Sequence, residues 1–363
     1  MNQKILFYDI NATNFYKYIP YLLEHFDSLG NCEILLVYDE NPNDQAKTFL
    51  NKFKTQKVGF SNTIKKIVKD FNPSHVVVNA QRIPDTYLIS YSKSLGIKTV
   101  MIQHGMYNGF LERNKSMYLL KLLKAIKYLI YSLKIGYIIG ANPIFTAVKF
   151  VKIFQFGNSY KKLLGKHDLL FVDKIQVYGN YWIDYHKSFF GYKTENTEFQ
   201  IIGYHELNKD FNNSKKIKYC YIAQTLFEDG RIKRDSIDEV VEFLTRLNKT
   251  NSLIVKRHPR SNDSLYLSKG LEITDELYEA DFYIGHYSSL LALPIFKRKK
   301  IILLPLKNHI IPSYFIENSY LFSDWKINNE IPNLNFENNS IENIFSKPVS
   351  VQKQYELLIQ SKQ

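Results

Sequence analysis

The 363-residue chain carries 48 lysines and arginines against 35 acidic residues, a formal charge of +13, and 45% of its residues are hydrophobic. That apolar fraction excludes an intrinsically disordered chain, and the length favours two domains over a single core. The two cysteines, Cys32 and Cys220, both lie in strand-like apolar runs, which argues against a disulfide framework and predicts a reducing compartment.

Strands and helices alternate along the first half. The chain opens directly on a strand at 4–9, without the cationic, apolar and small-residue stretches of a secretion signal, so we expect no signal peptide. The pattern then predicts a helix at 15–29, a strand at 33–38, a helix at 62–71, a strand at 75–79, a helix at 85–95 and strands at 99–103, 174–179 and 198–206. This alternation is typical of βαβ units and predicts a parallel sheet.

A basic, apolar segment interrupts this half between Glu112 and Asp168. It contains no acidic residue, and its arginine and ten lysines account for +11 of the total charge. A helical projection places its leucines and isoleucines on one side, and on the other side it places Lys121, Lys124, Lys127 and Lys134.

Two interpretations of this amphipathic segment are open. Its apolar side can pack on a core while its lysines face solvent, but the absence of acids favours contact with an anionic membrane surface. A charge confined to one segment argues against nucleic-acid binding. Because no apolar run reaches the ~18 residues needed to span a bilayer, we expect a cytoplasmic protein, peripheral on the inner face of the cell membrane.

A second alternation follows the polar stretch 208–216. It predicts strands at 217–223, 252–256, 270–273, 280–285 and 300–304, with a helix at 235–248. We therefore predict a first Rossmann-like domain over 1–208 that carries the basic segment 113–167, and a second over 209–345. The remaining 346–363 contain a helix that can pack back on the first domain. Neither half has the glycine fingerprint of dinucleotide binding or of a P-loop.

Three motifs of the second half each follow a predicted strand: Glu228-Asp229-Gly230, His258-Pro259-Arg260 and Ser288-Ser289. Because the carboxyl ends of parallel strands share one edge of a sheet, we expect these motifs to converge on a ligand crevice. An acid, a histidine and a hydroxyl pair are the groups needed to transfer a sugar from a nucleotide.

Each of these motifs has a functional and a structural interpretation. Asp229 can deprotonate an acceptor hydroxyl, although Asp-Gly is also ordinary turn chemistry. His258 can donate to a leaving phosphate, or simply cap a loop. Ser288 and Ser289 can contact a phosphate and at the same time cap the helix that follows. Further donor-binding candidates are Lys256, Arg260 and Gln224.

In the first half, Gln103-His104-Gly105 ends a predicted strand. His104 can bind a ligand or act as the base in place of Asp229, and the alternative is a strand-end turn that uses Gly105. Asp9, at the end of the first strand, is a weaker candidate. No Asp-x-Asp and no Cys/His cluster with ligand spacing occurs, so we expect no metal site and no cofactor.

At these motifs the sequence is similar to the bacterial lipooligosaccharide sialyltransferases and capsular polysialyltransferases. These families share an acidic-acidic-Gly motif, an HP motif and a Ser-Ser or Ser-Thr motif on the GT-B fold, two Rossmann-like domains with a cleft between them. The resemblance covers roughly 217–305. It implies that Asp229 is the general base, that His258 stabilises the leaving CMP phosphate and that Ser288 and Ser289 bind that phosphate.

The resemblance therefore implies an inverting, metal-independent transfer of a nonulosonic acid from a CMP-sugar to a hydroxyl of a surface glycan or glycolipid. Two other relationships are visible. The run IQHG resembles capsule-type Kdo transferases, and the run around Ser288 resembles the CDP-glycerol glycerophosphotransferases of teichoic acid synthesis. An alternative of another class is a non-catalytic, membrane-bound glycan-binding module.

Overall fold

The computed structural model describes residues 3–59, 61–105, 118–156, 167–228, 232–258, 261–306, 311–328, 330–331 and 341–360, with the backbone alone for 45, 61–62, 118–124 and 154–156. The chain divides into two compact units. The first unit comprises Met1–His104, Leu120–Gly203 and Pro348–Gln363, and the second comprises Gly105–Leu119 and Tyr204–Lys347.

The first unit contains a parallel sheet of seven strands in the order β3-β2-β1-β4-β5-β6-β7. The strands are β1 (Gln3–Asn11), β2 (Cys32–Glu40), β3 (Lys54–Lys57), β4 (His75–Val78), β5 (Lys98–Ile102), β6 (Lys174–Val177) and β7 (Glu198–Ile201). Strand β3 escaped the sequence analysis because it is a fully exposed edge strand, Lys-Thr-Gln-Lys, with no apolar side to reveal it.

Helices connect these strands. They are α1 (Thr13–Tyr18), α2 (Pro20–Ser28), α3 (Asp44–Leu50), α4 (Ser61–Phe71), α5 (Ile83–Ser94), α6 (Tyr118–Ile138), α7 (Pro143–Phe156) and α8 (Asn180–Tyr185). The single helix expected at 15–29 is wrong, because the chain breaks at Ile19. A proline disfavours helical geometry in the preceding residue, and Ile19 adopts φ −132° and ψ 26° before Pro20 starts the second helix.

The second unit contains a parallel sheet of six strands in the order β10-β9-β8-β11-β12-β13. The strands are β8 (Asn212–Ile222), β9 (Leu253–Lys256), β10 (Glu272–Thr274), β11 (Tyr278–Gly285), β12 (Lys300–Leu303) and β13 (Tyr320–Leu321). The strand predicted at 217–223 begins earlier than expected, because β8 already starts within the polar stretch 208–216. Its polarity reflects the exposed amino-terminal half of that strand.

The helices of this unit are α9 (Arg234–Thr250), α10 (Ser264–Leu267), α11 (Ala292–Phe296) and α12 (Ser313–Ile316). Apolar residues of α9 recur at helical spacing and are buried, among them Val240, Phe243 and Leu247. Phe243 packs edge-on against the buried Trp325, with ring centroids 5.7 Å apart. The unit therefore has its own hydrophobic core.

The last helix, α13 (Val351–Ile359), belongs to the first unit and contacts α2. Its Tyr355 ring meets Phe26 edge-on at 4.9 Å, and Leu358 is fully buried. The Lys174 ammonium donates to the carbonyls of Leu357 at 2.9 Å and Leu358 at 3.2 Å. A cation on the last carbonyls satisfies acceptors that no helical N–H can reach and complements the helix dipole.

Helix α6 leaves exposed the leucine and isoleucine side that the helical projection identified, and it buries residues of its other side. Tyr131 and Ile135 are fully buried, whereas Ile126, Leu129 and Ile130 are 51%, 47% and 37% exposed. The core-packing interpretation of the basic segment is therefore wrong for this stripe. None of the helices described is both long and apolar enough to cross a bilayer.

Both sheets have the strand order of a Rossmann fold, in which the chain starts in the middle, moves outward and returns to the other side. The order reverses between β1 and β4 in the first unit, and between β8 and β11 in the second. The predicted α/β fold class with two Rossmann-like units is confirmed by these orders. In such sheets ligands bind beyond the carboxyl ends of the strands at the reversal.

Candidate functional site

Three neighbouring strands of the second unit end at one level. Ile222 of β8 lies opposite Lys256 of β9, and Tyr221 lies opposite Ile284 of β11, so that Gly285 is level with Ile222. Adjacent strands are about 4.8 Å apart. The chain segments that leave β8, β9 and β11 therefore start side by side, at the carboxyl edge where the strand order reverses.

Gln224 joins two of these segments. Its amide nitrogen donates to the Tyr287 carbonyl, and its amide oxygen accepts from the Tyr287 N–H at 3.1 Å. One side chain thus satisfies both backbone groups of the residue before Ser288, where no strand partner remains. The structure places this predicted donor-binding residue as a brace between the end of β8 and the serine pair.

His286, which the sequence analysis did not single out, is buried beneath this edge. One ring nitrogen lies 2.7 Å from the Leu304 carbonyl and the other 3.0 Å from the Tyr221 hydroxyl. A carbonyl can only accept, so Nδ1 carries a proton, and in the neutral form of the ring Nε2 accepts from the tyrosine hydroxyl. The imidazole therefore links β8, β11 and the end of β12. The sequence signal that could have identified His286 is its position in the run YIGHYSS, two residues before Ser288.

Glu228 connects the segment after β8 with the segment after β9. Its carboxylate accepts a hydrogen bond from the Asn262 backbone N–H at 2.6 Å. The two segments expected to supply the base and the histidine are therefore in direct contact. The predicted base itself, Asp229, lies outside the described residues, as does Gly230.

The segment after β9 is clamped by an arginine. The Arg257 guanidinium binds both carboxylate oxygens of Asp275, at 2.7 and 2.8 Å, and one oxygen of Asp263 at 2.6 Å. These contacts hold the chain on either side of His258, which is itself half-buried and whose carbonyl accepts from the Ser261 N–H at 2.8 Å. Arg260 lies outside the described residues.

Ser288 caps the turn that follows β11, as the structural interpretation of the pair expects. Its hydroxyl oxygen accepts from the Leu290 N–H at 3.3 Å, and Ser289 begins a 3-10 turn that leads into α11. A hydroxyl that accepts through a lone pair keeps its own proton to donate. Gly285 allows this turn to close on the strand, since a Cβ there would lie 3.2 Å from Leu291.

A cavity of about 530 Å³ lies in the second unit beside this turn. Its size falls within the ~300–1,000 Å³ typical of small-molecule sites. Lys256, at the end of β9, lines it, and burial lowers the pKa of this lysine, although Asp275 opposes the shift. The other lining residues are Glu206, Lys209, Asp210, Phe211, Asn212, Asp275, Glu276, Leu277, Leu290 and Leu293.

The corresponding edge of the first unit is built around a buried carboxylate. Asp9 accepts from the Asn11 N–H at 2.9 Å, from Asn14 at 2.8 Å and from Asn79 at 3.2 Å, and it lies 3.5 Å from Arg82. Burial opposes ionisation, but Arg82, His104 and the hydrogen bonds together lower the pKa of Asp9. A carboxylate so occupied is a poor proton acceptor, and its role here is structural.

Arg82 was missed by the sequence analysis. Its guanidinium makes two bonds to the fully buried Asp85, at 2.7 and 3.0 Å, and the same carboxylate caps the Arg82 N–H at the start of α5. An acid three residues after the residue that caps a helix is the sequence signal of such an arrangement, but the helix was predicted to start only at Asp85. Through Arg82, the ends of β1 and β4 share one charge network.

His104 follows β5 at the same edge. Its ring packs edge-on against Tyr18, with centroids 4.1 Å apart. Burial lowers the pKa of His104 to about 4, although Asp9 opposes the shift. The imidazole is therefore neutral at pH 7, but its basicity lies well below that of an effective general base. The geometry suits a hydrogen-bonding role better than proton abstraction.

The lysines predicted to face a membrane do not form one open row. Lys127 turns inward and pairs with Asp39 at 3.0 Å, with only 23% of its side chain exposed, so its membrane assignment is wrong. Lys134 is half-buried, and burial together with nearby Lys65 lowers its pKa. The side chains of Lys121 and Lys124 lie outside the described residues.

Comparison with protein-family models and with curated protein sequences finds no match. Among solved structures, the chain is similar to a glycosyltransferase from Rickettsia africae, at 10% identity over 88% of this chain and 83% of the other, with a TM-score of 0.43. It is also similar to UDP-GlcNAc 2-epimerase from Neisseria meningitidis bound to UDP-GlcNAc, at 8% identity over 88% and 87% of the two chains, TM-score 0.48.

A third similar structure is the glycosyltransferase VinC in complex with dTDP, at 9% identity over 88% of this chain and 86% of the other, with a TM-score of 0.48. Identities at this level concern the fold alone. The fold assignment therefore rests on the strand orders of the two sheets.

Proposed function

We propose that the protein is a glycosyltransferase that binds its nucleotide-sugar donor at the strand-order reversal of the second unit. The observation that carries this proposal is the alignment of three strand ends. They bring Gln224, His258 and the Ser288-Ser289 turn to one edge, beside a cavity lined by Lys256. Hydroxyls, an imidazole and an ammonium group suit a phosphate, and the apolar part of the cavity suits a base or sugar ring.

The roles follow from the chemistry of transfer. The acceptor hydroxyl oxygen attacks the anomeric carbon while the bond to the phosphate oxygen breaks, so its proton needs a base and the leaving phosphate needs hydrogen-bond donors. We assign the base role to Asp229, by resemblance. His258 and the serines would donate to the phosphate, with Lys256 and Arg260 adding positive charge. The low pKa of His104 favours Asp229 over His104 as the base.

The donor is proposed to be a CMP-linked nonulosonic acid, and the acceptor a hydroxyl of a surface glycan or glycolipid at an anionic membrane surface. The sugar class comes from the family resemblance. A donor with a single phosphate needs less charge neutralisation than a sugar diphosphate, which fits an edge with few cations beside a cavity that is also lined by carboxylates. Transfer is proposed to invert the anomeric centre and to need no metal ion.

A donor panel tests this proposal. The full chain would be incubated in EDTA with CMP-sialic acid, CMP-Kdo, CDP-glycerol or UDP-sugars, and nucleotide release would be followed with and without a glycan acceptor. Acceptor-dependent CMP release from CMP-sialic acid is expected. Turnover of CDP-glycerol or a UDP-sugar instead, or activity only after magnesium or manganese is restored, would reject the proposed donor.

A substitution at the proposed base tests the mechanism. Asp229→Asn should reduce transfer by roughly 10²–10⁴-fold while leaving CMP binding intact, because it removes the proton acceptor and keeps the shape. Asp235→Asn, six residues away and exposed on the first turn of α9, is the matched control. Near-full activity of Asp229→Asn would make Asp229 a turn residue and leave the base to be found elsewhere.

A further inference from the structure

Helices α6 and α7 present apolar side chains to solvent at the point where they meet. Tyr137, Ile144 and Phe145 are 75%, 70% and 68% exposed, and we call these three residues the apolar corner. Exposure continues at a lower level along α7, with Val148 at 48% and Val151 at 46%. Exposed large apolar side chains concentrated at one junction of two helices are typical of an interaction surface.

The corner is held in a defined geometry. Gly136 lets the helices meet, since a Cβ there would lie 2.6 Å from the Pro143 Cα. Gly140 takes the left-handed conformation, φ +67°, that ends α6, and the Asn142 side chain caps α7 by accepting from the Phe145 N–H at 3.0 Å. The apolar side chains therefore project from a turn that backbone and side-chain hydrogen bonds hold in place.

The opposite side of the two helices is committed to the first unit. Tyr131, Ile135, Ala147 and Phe150 are all buried. Lys127 adds its ion pair with Asp39, whose other carboxylate oxygen accepts from the Tyr8 hydroxyl at 2.9 Å. This fixes which side of each helix faces outward, so that the apolar corner cannot turn inward without breaking the packing of the first unit.

The charge of the basic segment indicates which kind of partner can bind at the apolar corner. The stretch from Arg113 to His167 carries +11 with no acid, so two copies that met through this face would repel each other. A surface of anionic lipid offers both a negative charge and an apolar interior. Lys149 illustrates the fit, because its ammonium lies 5.9 Å from the Phe145 ring centroid, at the base of the corner. Amphipathic, basic helices with aromatic residues on the apolar side bind such interfaces.

We infer that the apolar corner inserts into the interfacial layer of an anionic lipid bilayer, with the lysines of the segment at the headgroups. The inference rests on the membrane association proposed above and changes its mode. Apolar insertion supplies the attachment, whereas the sequence projection assigned contact to a row of lysines. Lys127 takes no part in lipid contact, because Asp39 holds it against the first unit.

Sedimentation of the full chain with vesicles tests this inference. Vesicles of phosphatidylcholine with about a third phosphatidylglycerol should bind the protein, and pure phosphatidylcholine vesicles should bind it less. Ile144→Ser and Phe145→Ser should each weaken binding by about 10-fold or more, the loss expected when a buried apolar side chain is removed. Ile327→Ser, at an 80% exposed apolar residue of the second unit, is the matched control and should bind as the parent does.

Insertion depth separates this mode from adsorption. In a Phe145→Trp variant, brominated lipids should quench the added tryptophan, since Trp182 and Trp325 are buried in the two units. Binding that survives both serine substitutions, or an added tryptophan that brominated lipids leave unquenched, would overturn insertion even if membrane association held. Failure of the parent to bind anionic vesicles would overturn both. Self-association abolished by Phe145→Ser, without vesicle binding, would assign the corner to a second copy. Nucleotide release, measured separately, reports only on the proposed transfer.

Discussion

The two sheets reverse their strand order in the same way, yet their carboxyl edges differ in chemistry. The first unit buries charges there, with Asp9 and Asp85 sharing the Arg82 guanidinium. The second unit buries an amide, a phenol and an imidazole there, with the Gln224 amide on Tyr287 and the His286 ring between Tyr221 and Leu304. The same topology therefore supports a buried charge network in one unit and, in the other, a buried hydrogen-bonded scaffold whose charged clamp at Arg257 is partly exposed.

This difference indicates which edge is suited to chemistry. A carboxylate with four partners and a lowered pKa has no capacity left for a reacting proton. In the second unit the scaffold uses amide, phenol and imidazole groups beneath the surface, while His258, Ser288 and Ser289 above it remain half-exposed. The first edge is therefore occupied by structural contacts, and this is the physical reason for proposing ligand contact at the second.

The largest effect is expected when the cation shared by the buried carboxylates of the first unit is removed at Arg82. Arg82→Met should cost about 3–5 kcal/mol of the free energy of unfolding, because it leaves Asp9 and Asp85 buried without their cation. Denaturant unfolding followed through Trp182, in a Trp325→Phe background, reports on the first unit. Lys52→Met is the control, since it removes an exposed pair with Glu24 worth at most about 1 kcal/mol. Equal costs for the two variants would refute a structural role for the buried network.

Acid should weaken the first unit next most strongly. Burial lowers the pKa of His104 and His75 to about 4 and that of His186 to about 3. Well above pH 6.5, the ordinary pKa of histidine, these histidines are neutral in both states and their effect on stability is small. As pH falls from 6.5 towards 4, the unfolded chain binds protons that the folded chain does not, and stability declines.

The expected loss between pH 6.5 and 5.5 is about 1 kcal/mol for each histidine. Unfolding followed through Trp182 at a series of pH values measures this loss. His186→Phe should reduce the pH dependence of the free energy of unfolding by the contribution of one histidine. A stability of the first unit that stays flat between pH 7 and 5 would show that these imidazoles are not held neutral by the fold.

A smaller effect is expected at the neutral brace of the second unit. Gln224→Leu should cost about 1–3 kcal/mol, because it removes the two hydrogen bonds that Gln224 makes to the Tyr287 backbone, and it should weaken CMP binding by displacing the serine turn. Trp325 fluorescence in a Trp182→Phe background and nucleotide titration measure the two effects. Gln224→Glu keeps the acceptor for the Tyr287 N–H and should fall between the parent and Gln224→Leu. If Gln224→Leu binds CMP as the parent does, the brace does not position the site.

Most strands and helices could be predicted from the sequence, because the periodicity of apolar residues that indicates them is a property of short segments. The βαβ alternation, the parallel sheets and the strand ends before His258 and Ser288 all follow from that period and from the residues that end each run. Local signals were absent or conflicting at the elements that were predicted wrongly. Strand β3 has no apolar side, and Pro20 divides a region whose apolar pattern is otherwise continuous.

Tertiary structure alone decided which side of each element is buried and which side chains become partners. The projection of α6 correctly separated lysines from apolar residues but could not say which side faces inward. That depended on Asp39, which is distant in sequence and captures Lys127, and on the core that buries Tyr131. The partnership of Asp9 with Arg82 and the burial of His286 likewise join residues from separate strands. Periodicity is a property of a segment, whereas the partner of a side chain is a property of the surface that a distant segment brings to it.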